Sequence, residues 1–146
     1  MPTRNATAQW EGSVQEGSGT MRLGTGAFQG PYSFRSRMQD GTGTNPEELI
    51  AAAHAGCFSM ALSAGLGRAG TPPTRIDTTA EVRFEEAEGG WSITGIHLRT
   101  RAVVPGLDSD GFTRAAEDAK AGCPVSKALA AVPITLDASL DTSASR

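Results

Sequence analysis

The chain is poor in the residues that most often announce a function. Its 146 residues include only two cysteines, 5% aromatic residues and a formal net charge of -3. A small negative charge does not favour binding to nucleic acid or to an anionic membrane surface. The cysteines, Cys57 and Cys123, form no Cys-x-x-Cys motif, which excludes a thioredoxin motif and a zinc ribbon.

The amino-terminal residues lack the apolar segment of a secretory signal peptide, and this absence predicts a cytoplasmic protein. Thiols stay reduced in that compartment, so a structural disulfide is not expected. The length fits a single domain over residues 1–146.

One apolar stretch, residues 49–66, needs testing as a membrane span. It consists mainly of Ala, Gly and Ser, and His54 lies inside it. Leu and Ile favour membrane insertion far more than Ala does. We therefore predict a buried core helix and no membrane contact.

Hydrophobic spacing and turn residues predict strands, a long helix, more strands, two helices and a last strand. The strands are expected over residues 6–15, 20–23, 32–38, 77–86, 91–104 and 134–140, and the helices over 46–67, 110–121 and 124–131. This order is typical of an α+β fold with antiparallel sheet. Residues 142–146 are expected to fray.

The first predicted helix has small residues on nearly every side. Thr44 or Asn45 can cap it, Pro46 suits the first helical position, and Glu47 favours the positive end of the helix dipole. Small side chains let other elements approach closely all round, which predicts a central helix.

Each cysteine has a plain and a chemical interpretation. Cys57 lies in the middle of the long helix, where a free cysteine often serves as a small buried hydrophobe. Cys123 precedes Pro124 and so takes the N-cap position, where backbone N–H groups lower a thiol pKa. Equally, Cys123 could occupy this cap position by chance, without a chemical role.

A reactive Cys57 would need a neighbouring cation. An unperturbed thiol with a pKa near ~8.5 is only a few per cent thiolate at neutral pH. An adjacent positive charge lowers such a pKa by roughly 1–3 units. Arg35 and Arg37 are the nearest in the preceding sequence, on one face of the strand predicted over residues 32–38.

Three segments resemble the OsmC/Ohr family, and more its OsmC branch. Residues 44–62, TNPEELIAAAHAGCFSMAL, resemble its main signature, and residues 122–127, GCPVSK, its second cysteine motif. Residues 31–37 resemble the strand that carries its active-site arginine. Their position relative to Asn45-Pro46-Glu47 selects Arg37 over Arg35.

The resemblance implies an OsmC-like α+β domain, in which antiparallel sheets wrap around a long central helix, and an intertwined homodimer. It implies a thiol-dependent peroxidase of oxidative or osmotic stress defence that reduces organic hydroperoxides with a dithiol reductant. Cys57 would attack the peroxide, Cys123 would resolve it, and Arg37 and Glu47 would form the supporting pair. No metal or organic cofactor is implied.

Helix geometry places a condition on such a site. Glu47 and Cys57 are ten residues apart, which is about 15 Å of rise on a straight helix. Glu47 cannot then touch Cys57 of its own helix, which favours a site built from two subunits. Apolar surroundings, provided by Phe58, Met60 and Met38, would favour alkyl peroxides.

Three other functions remain open from the residues. The cysteine pair could form a non-enzymatic redox sensor. The small-residue helix could line an apolar ligand site, with the cysteines incidental. His54, His97 and the cysteines could bind a metal, although no two of them stand at ligand spacing. His54 is more readily explained as a core or interface histidine.

Overall fold

The computed structural model describes residues 1–141, and its elements follow the predicted order except in one segment. The expectation for residues 142–146 lies outside the described residues. The elements are β1 Ala6–Glu11, β2 Ser18–Leu23, β3 Gln29–Tyr32, α1 Phe34–Met38, α2 Pro46–Arg68, β4 Arg75–Ala87, β5 Gly90–Val103, α3 Ser109–Gly122, α4 Pro124–Ala128 and β6 Ile134–Leu140.

The chain divides into two compact units, Met1–Leu49 and a second unit that begins at Ile50. The first contains an antiparallel sheet in the order β1-β2-β3, together with α1. The second contains a sheet in the order β4-β5-β6, the helices α3 and α4, and most of α2. Two sheets and a long helix make an α+β fold, as predicted; a single domain over residues 1–146 stays a prediction.

The strand predicted over residues 32–38 is wrong beyond Tyr32, because residues Phe34–Met38 form a helix. Ser33 Oγ accepts a hydrogen bond from the Ser36 N–H at 3.1 Å, and Ser36 Oγ accepts one from the Ser33 N–H at 2.8 Å. This reciprocal capping box satisfies backbone donors locally and starts a helix where hydrophobic spacing suggested a strand.

The correction separates the two candidate arginines. On a strand Arg35 and Arg37 would share a face, but on a helix two residues turn the chain by about 200°. The two guanidinium groups therefore leave α1 on nearly opposite sides, and only one of them can serve a given site.

Ser36 is the residue whose loss should destabilise this segment most. It is 5% exposed, and its hydroxyl also donates to the Thr44 carbonyl at 2.7 Å. Ser36→Ala would leave a buried carbonyl and the Ser33 N–H unpaired, so we expect the free energy of unfolding to fall by about 1–3 kcal/mol. Urea denaturation measures this change. Ser139→Ala, on an exposed strand position, should stay within ~0.5 kcal/mol, and equal losses in both variants would contradict the assignment.

Helix α2 begins and ends through recognisable caps. Asn45, rather than Thr44, caps the backbone, since its Oδ1 accepts from the Glu48 N–H at 2.8 Å. At the other end Gly70 has a φ of +87°, and the following Thr71 N–H donates to Leu66 O at 2.9 Å. A left-handed glycine of this kind is a common helix terminator.

The two faces of α2 differ in burial. Phe58, Leu62 and Leu66 lie in the core of the second unit, whereas Gly56 and Met60 are exposed. Among residues 1–141, α2 is long and apolar enough to cross a membrane by length and composition alone. Its four-residue spacing of buried side chains is that of a helix packed on a protein core.

The second sheet is mixed, which corrects the expectation of antiparallel sheet throughout. Strands β4 and β5 form an antiparallel hairpin whose register shifts between Arg83 and Phe84, opposite Gly95 and Ile93. Strand β6 pairs with β5 in parallel. The connection between them contains α3 and α4, and a crossover of that length allows a parallel return.

Candidate active site

The tertiary structure brings the two cysteines together. Cys57 comes from the middle of α2 and Cys123 from the junction of α3 and α4. Their Sγ atoms are 2.9 Å apart although 66 positions separate them in sequence. Both are free thiols, and closing a disulfide to its usual length of about 2.05 Å would require only a small approach of the sulfurs.

Pro124 explains why the chain turns at Cys123. A residue before proline is disfavoured in the helical region, and Cys123 has φ -57° and ψ 127°. Its N–H still donates to Ala119 O at 2.9 Å, which closes the last turn of α3. Cys123 is thus the predicted N-cap of α4, although α4 ends at Ala128, short of the predicted residue 131.

The surroundings of Cys123 favour its thiolate. Burial acts to raise the pKa of Cys123, but the Cys57 thiol and the N–H and hydroxyl of Ser126, all of which favour the charged sulfur, outweigh it and leave the pKa lowered. The Val125 N–H acts in the same direction. The sulfur makes no capping hydrogen bond to α4, so these groups act mainly through their electrostatic attraction. Helix α4 is too short to add much of a dipole.

The surroundings of Cys57 have the opposite effect. Burial raises the pKa of Cys57, and the hydrogen bond to Cys123 and the charge on Cys123 raise it further. The Val125 N–H offsets only part of this. Within the second unit, the surroundings therefore favour the thiolate form of Cys123 and the thiol form of Cys57.

A buried histidine extends the thiol pair into a longer chain of polar groups. His54 is fully buried, and its Nε2 lies 2.7 Å from Ser126 Oγ. Burial lowers the pKa of His54, so the ring is neutral at neutral pH. From the sequence alone, His54 is expected to be a packing residue. Its position three residues before Cys57, about one helical turn, is the sequence feature that places it near the thiol pair.

The other predicted metal-binding residue lies elsewhere in the second unit. His97 contacts Thr135 Oγ1 at 2.6 Å and Asp137 Oδ2 at 3.2 Å. In the part of the chain that the structure describes, no three His, Cys, Asp or Glu side chains converge as metal ligands. The metal interpretation therefore gains no support from the arrangement of these residues.

In the first unit, Arg37 binds Glu47. The guanidinium donates from Nε to Oε1 and from Nη2 to Oε2, each at 3.0 Å. This two-point geometry fixes the orientation of the guanidinium as well as its position. Glu47 is only 7% exposed, in the first turn of α2, so the carboxylate is held firmly enough to orient the arginine.

The predicted apolar surroundings divide between core and surface. Phe58 has no exposed surface, whereas Met60 is 77% exposed. Phe58 therefore packs the core of the second unit and is unavailable to a peroxide in the single chain, which corrects the sequence expectation for that residue.

An α+β fold with one thiol on a long helix and a second at a helix junction defines a thiol-pair redox class. The family described as OsmC-like protein matches residues 39–137, and the chain belongs to this family. It is 50% identical over 135 residues to peroxiredoxin OsmC of Escherichia coli (strain K12), covering 92% of this chain and 94% of that protein. The predicted family, and its OsmC branch, are confirmed.

Two further relatives fit the same assignment. The organic hydroperoxide resistance protein of Xanthomonas axonopodis pv. citri (strain 306) is 34% identical over 89 residues, which are 60% of this chain and 61% of that protein. The crystal structure of the organic hydroperoxide resistance protein OhrB of Bacillus subtilis has a TM-score of 0.71 at 24% identity, covering 94% of this chain and 98% of that one. This likeness confirms the fold class.

Proposed function

We propose that this chain is a thiol-dependent peroxidase that reduces organic hydroperoxides to alcohols in oxidative or osmotic stress defence. The observation that carries the proposal is the 2.9 Å approach of Cys57 and Cys123, both of which are reduced. The names of the relatives, peroxiredoxin and organic hydroperoxide resistance protein, support it.

The proposed reaction needs only thiols and peroxide. The Cys57 thiolate attacks the terminal oxygen of the hydroperoxide, the O–O bond breaks, and the alkoxide takes a proton and leaves as the alcohol. The Cys123 thiolate then attacks the sulfenic acid of Cys57, a disulfide forms, and hydroxide leaves as water. A dithiol returns both thiols by exchange and becomes oxidised itself. All electrons come from thiols, so no metal or organic cofactor is invoked.

The attack requires a thiolate on Cys57, although the groups of the second unit raise the pKa of Cys57 and so favour its protonated form. A cation near Cys57 would reverse that preference and would also stabilise the charge on the departing oxygen. We assign this role to Arg37, oriented by Glu47. Ten residues of α2, about 15 Å of rise, separate Glu47 from Cys57 of the same chain, so the arginine pair of one subunit serves the cysteine pair of the other.

This arrangement requires a homodimer, which is part of the proposal. The exposed face of α2 supports it, because Gly56 leaves room for close approach and Met60 would become buried. A cytoplasmic location and a dithiol reductant complete the proposed function.

The direct test counts thiols before and after one equivalent of an alkyl hydroperoxide. We expect both thiols of each chain to disappear, the mass to fall by two hydrogen atoms, and a peptide map to show Cys57 joined to Cys123. Repeated turnover with a dithiol would distinguish the enzyme from a redox sensor that changes state only once. An unchanged thiol count would contradict the proposal and favour an apolar-ligand-binding protein.

A further inference from the structure

His54 and Ser126 form a buried connection to the thiol pair that the peroxidase proposal does not use. His54 and Cys123 are fully buried and Ser126 is 5% exposed. His54 Nε2 contacts Ser126 Oγ at 2.7 Å. Ser126 is the third residue of α4, whose N-cap is Cys123, so one helical turn brings the two residues together, and the Ser126 hydroxyl lowers the pKa of Cys123. A buried polar network of this kind is specific, because each member determines what the next can donate.

The tautomer of His54 decides what Ser126 can do. A neutral imidazole carries one N–H and one bare nitrogen. When the proton is on Nε2, it donates to Ser126 Oγ, and the hydroxyl proton is then free to point to the Cys123 sulfur. When the proton is on Nδ1, the bare Nε2 takes the hydroxyl proton of Ser126, and the sulfur loses that donor.

The structure favours the first tautomer. His54 Nδ1 is buried without a hydrogen-bond partner within residues 1–141. With the proton on Nε2, the unpartnered atom is a bare acceptor. With the proton on Nδ1, an N–H donor would be buried unpaired, and orphaned buried N–H groups are rarer than unpaired acceptors in proteins.

We propose that His54 is a positioning residue that directs the Ser126 hydroxyl to Cys123 Sγ and so holds this sulfur ready to attack oxidised Cys57. The catalytic meaning rests on the proposed function, in which Cys123 performs the resolving step. The effect of Ser126 on the Cys123 sulfur does not rest on the proposed function, because this effect is present in the reduced chain without peroxide.

The other titratable groups on the packed elements are already occupied or exposed. Lys120, near the end of α3, donates to Ile134 O at 3.4 Å and pairs with Glu117 at 3.4 Å. Lys127 on α4 is exposed. Cys57 is the titratable neighbour in direct contact with Cys123, so the experiment replaces it.

The test titrates Cys123 alone, by the ultraviolet absorbance of its thiolate, in full-length chains that carry Cys57→Ser. Ser126→Ala and His54→Phe should each raise the midpoint by about 1 pH unit, the size of one hydrogen bond to a charged sulfur. The double variant should shift no further than the larger single shift. His54→Gln should restore most of it, because its amide nitrogen can replace Nε2 as the donor.

Two outcomes of the titration would overturn the proposal. A shift in Ser126→Ala without one in His54→Phe would leave His54 a packing residue, and additive shifts would show that the two act separately. Nitrogen NMR of the His54 ring in the unsubstituted chain provides a check that needs no variant: the proton should be on Nε2, and a proton on Nδ1 would refute the orientation.

The same variants separate this proposal from the peroxidase itself. In chains that keep both cysteines, His54→Phe should slow disulfide formation after peroxide addition without slowing the first oxidation of Cys57. If the chain were not a peroxidase, no variant would oxidise with peroxide, yet the titration shifts of Cys123 would remain.

Discussion

Cys57→Ser is expected to abolish the consumption of alkyl hydroperoxide in the presence of a dithiol. A serine hydroxyl stays protonated at neutral pH and cannot accept an oxygen atom as sulfur does. Removing the attacking atom should lower the rate by about a thousandfold or more, the order seen when an enzyme loses its nucleophile. The measurement is peroxide consumption at fixed dithiol concentration, with the substituted chain checked for folding by its thermal transition.

Cys123→Ser is the matched control, because it removes the other sulfur of the same pair. Without a dithiol, which would itself condense with the sulfenic acid, it should still consume one equivalent of peroxide per chain and then stop, with Cys57 left as a sulfenic acid that a dimedone-type reagent labels. Full activity in Cys57→Ser, or a burst in Cys57→Ser with none in Cys123→Ser, would contradict the assignment. The second outcome would assign the attack on peroxide to Cys123 and the resolving step to Cys57. This alternative needs the test because the pKa of Cys123 is lowered.

Arg37→Met is expected to lower the peroxidase rate by about 10²–10³-fold at neutral pH, the usual effect of losing a group that stabilises developing charge. The loss should shrink as the pH rises. Burial and the neighbouring Cys123 raise the pKa of Cys57, so without the arginine the thiolate of Cys57 appears only in alkaline solution. A pH series of initial rates measures this dependence.

Arg35→Met is the control for Arg37→Met, since the two arginines leave the same short helix on nearly opposite sides. An exposed charge that does not contact the reacting atoms should change the rate by no more than about twofold. Similar losses in both variants would point to a general effect of charge. A larger loss of rate in Arg35→Met would assign the supporting role to Arg35 instead.

Mixed dimers test whether the proposed site crosses the subunits. One subunit carries Arg37→Met and the other Cys57→Ser, with different tags for purification. If each site combines the arginine of one chain with the cysteine of the other, one of the two sites carries both substitutions and the other carries neither. About half of the unsubstituted activity should then return. If each chain forms its own site, no activity returns.

Local sequence was sufficient for much of the fold. Pro46 and the small residues after it predicted a long helix, and Pro124 placed Cys123 at a helix start. The strand predicted over residues 32–38 is wrong because its hydrophobic spacing indicates a strand, whereas two serines three residues apart favour a helix start. The Ser33–Ser36 pair forms a capping box that starts a helix, and this signal is present in the local sequence.

The parallel pairing of β6 with β5 was beyond local sequence. A strand with alternating side chains fits either direction equally well, and only the packing of α3 and α4 between the two strands decides which edge β6 reaches and how it runs.

The two cysteines show the same difference between what local sequence determines and what the tertiary structure determines. By itself the sequence determined their local positions, one inside a long helix and one before a proline, because these depend on short-range backbone preferences. Only the tertiary structure decided that the sulfurs lie 2.9 Å apart, and that the surroundings within the second unit lower the pKa of Cys123 and raise that of Cys57. Both depend on burial and on a contact between residues that are 66 positions apart, which neighbouring residues alone do not encode.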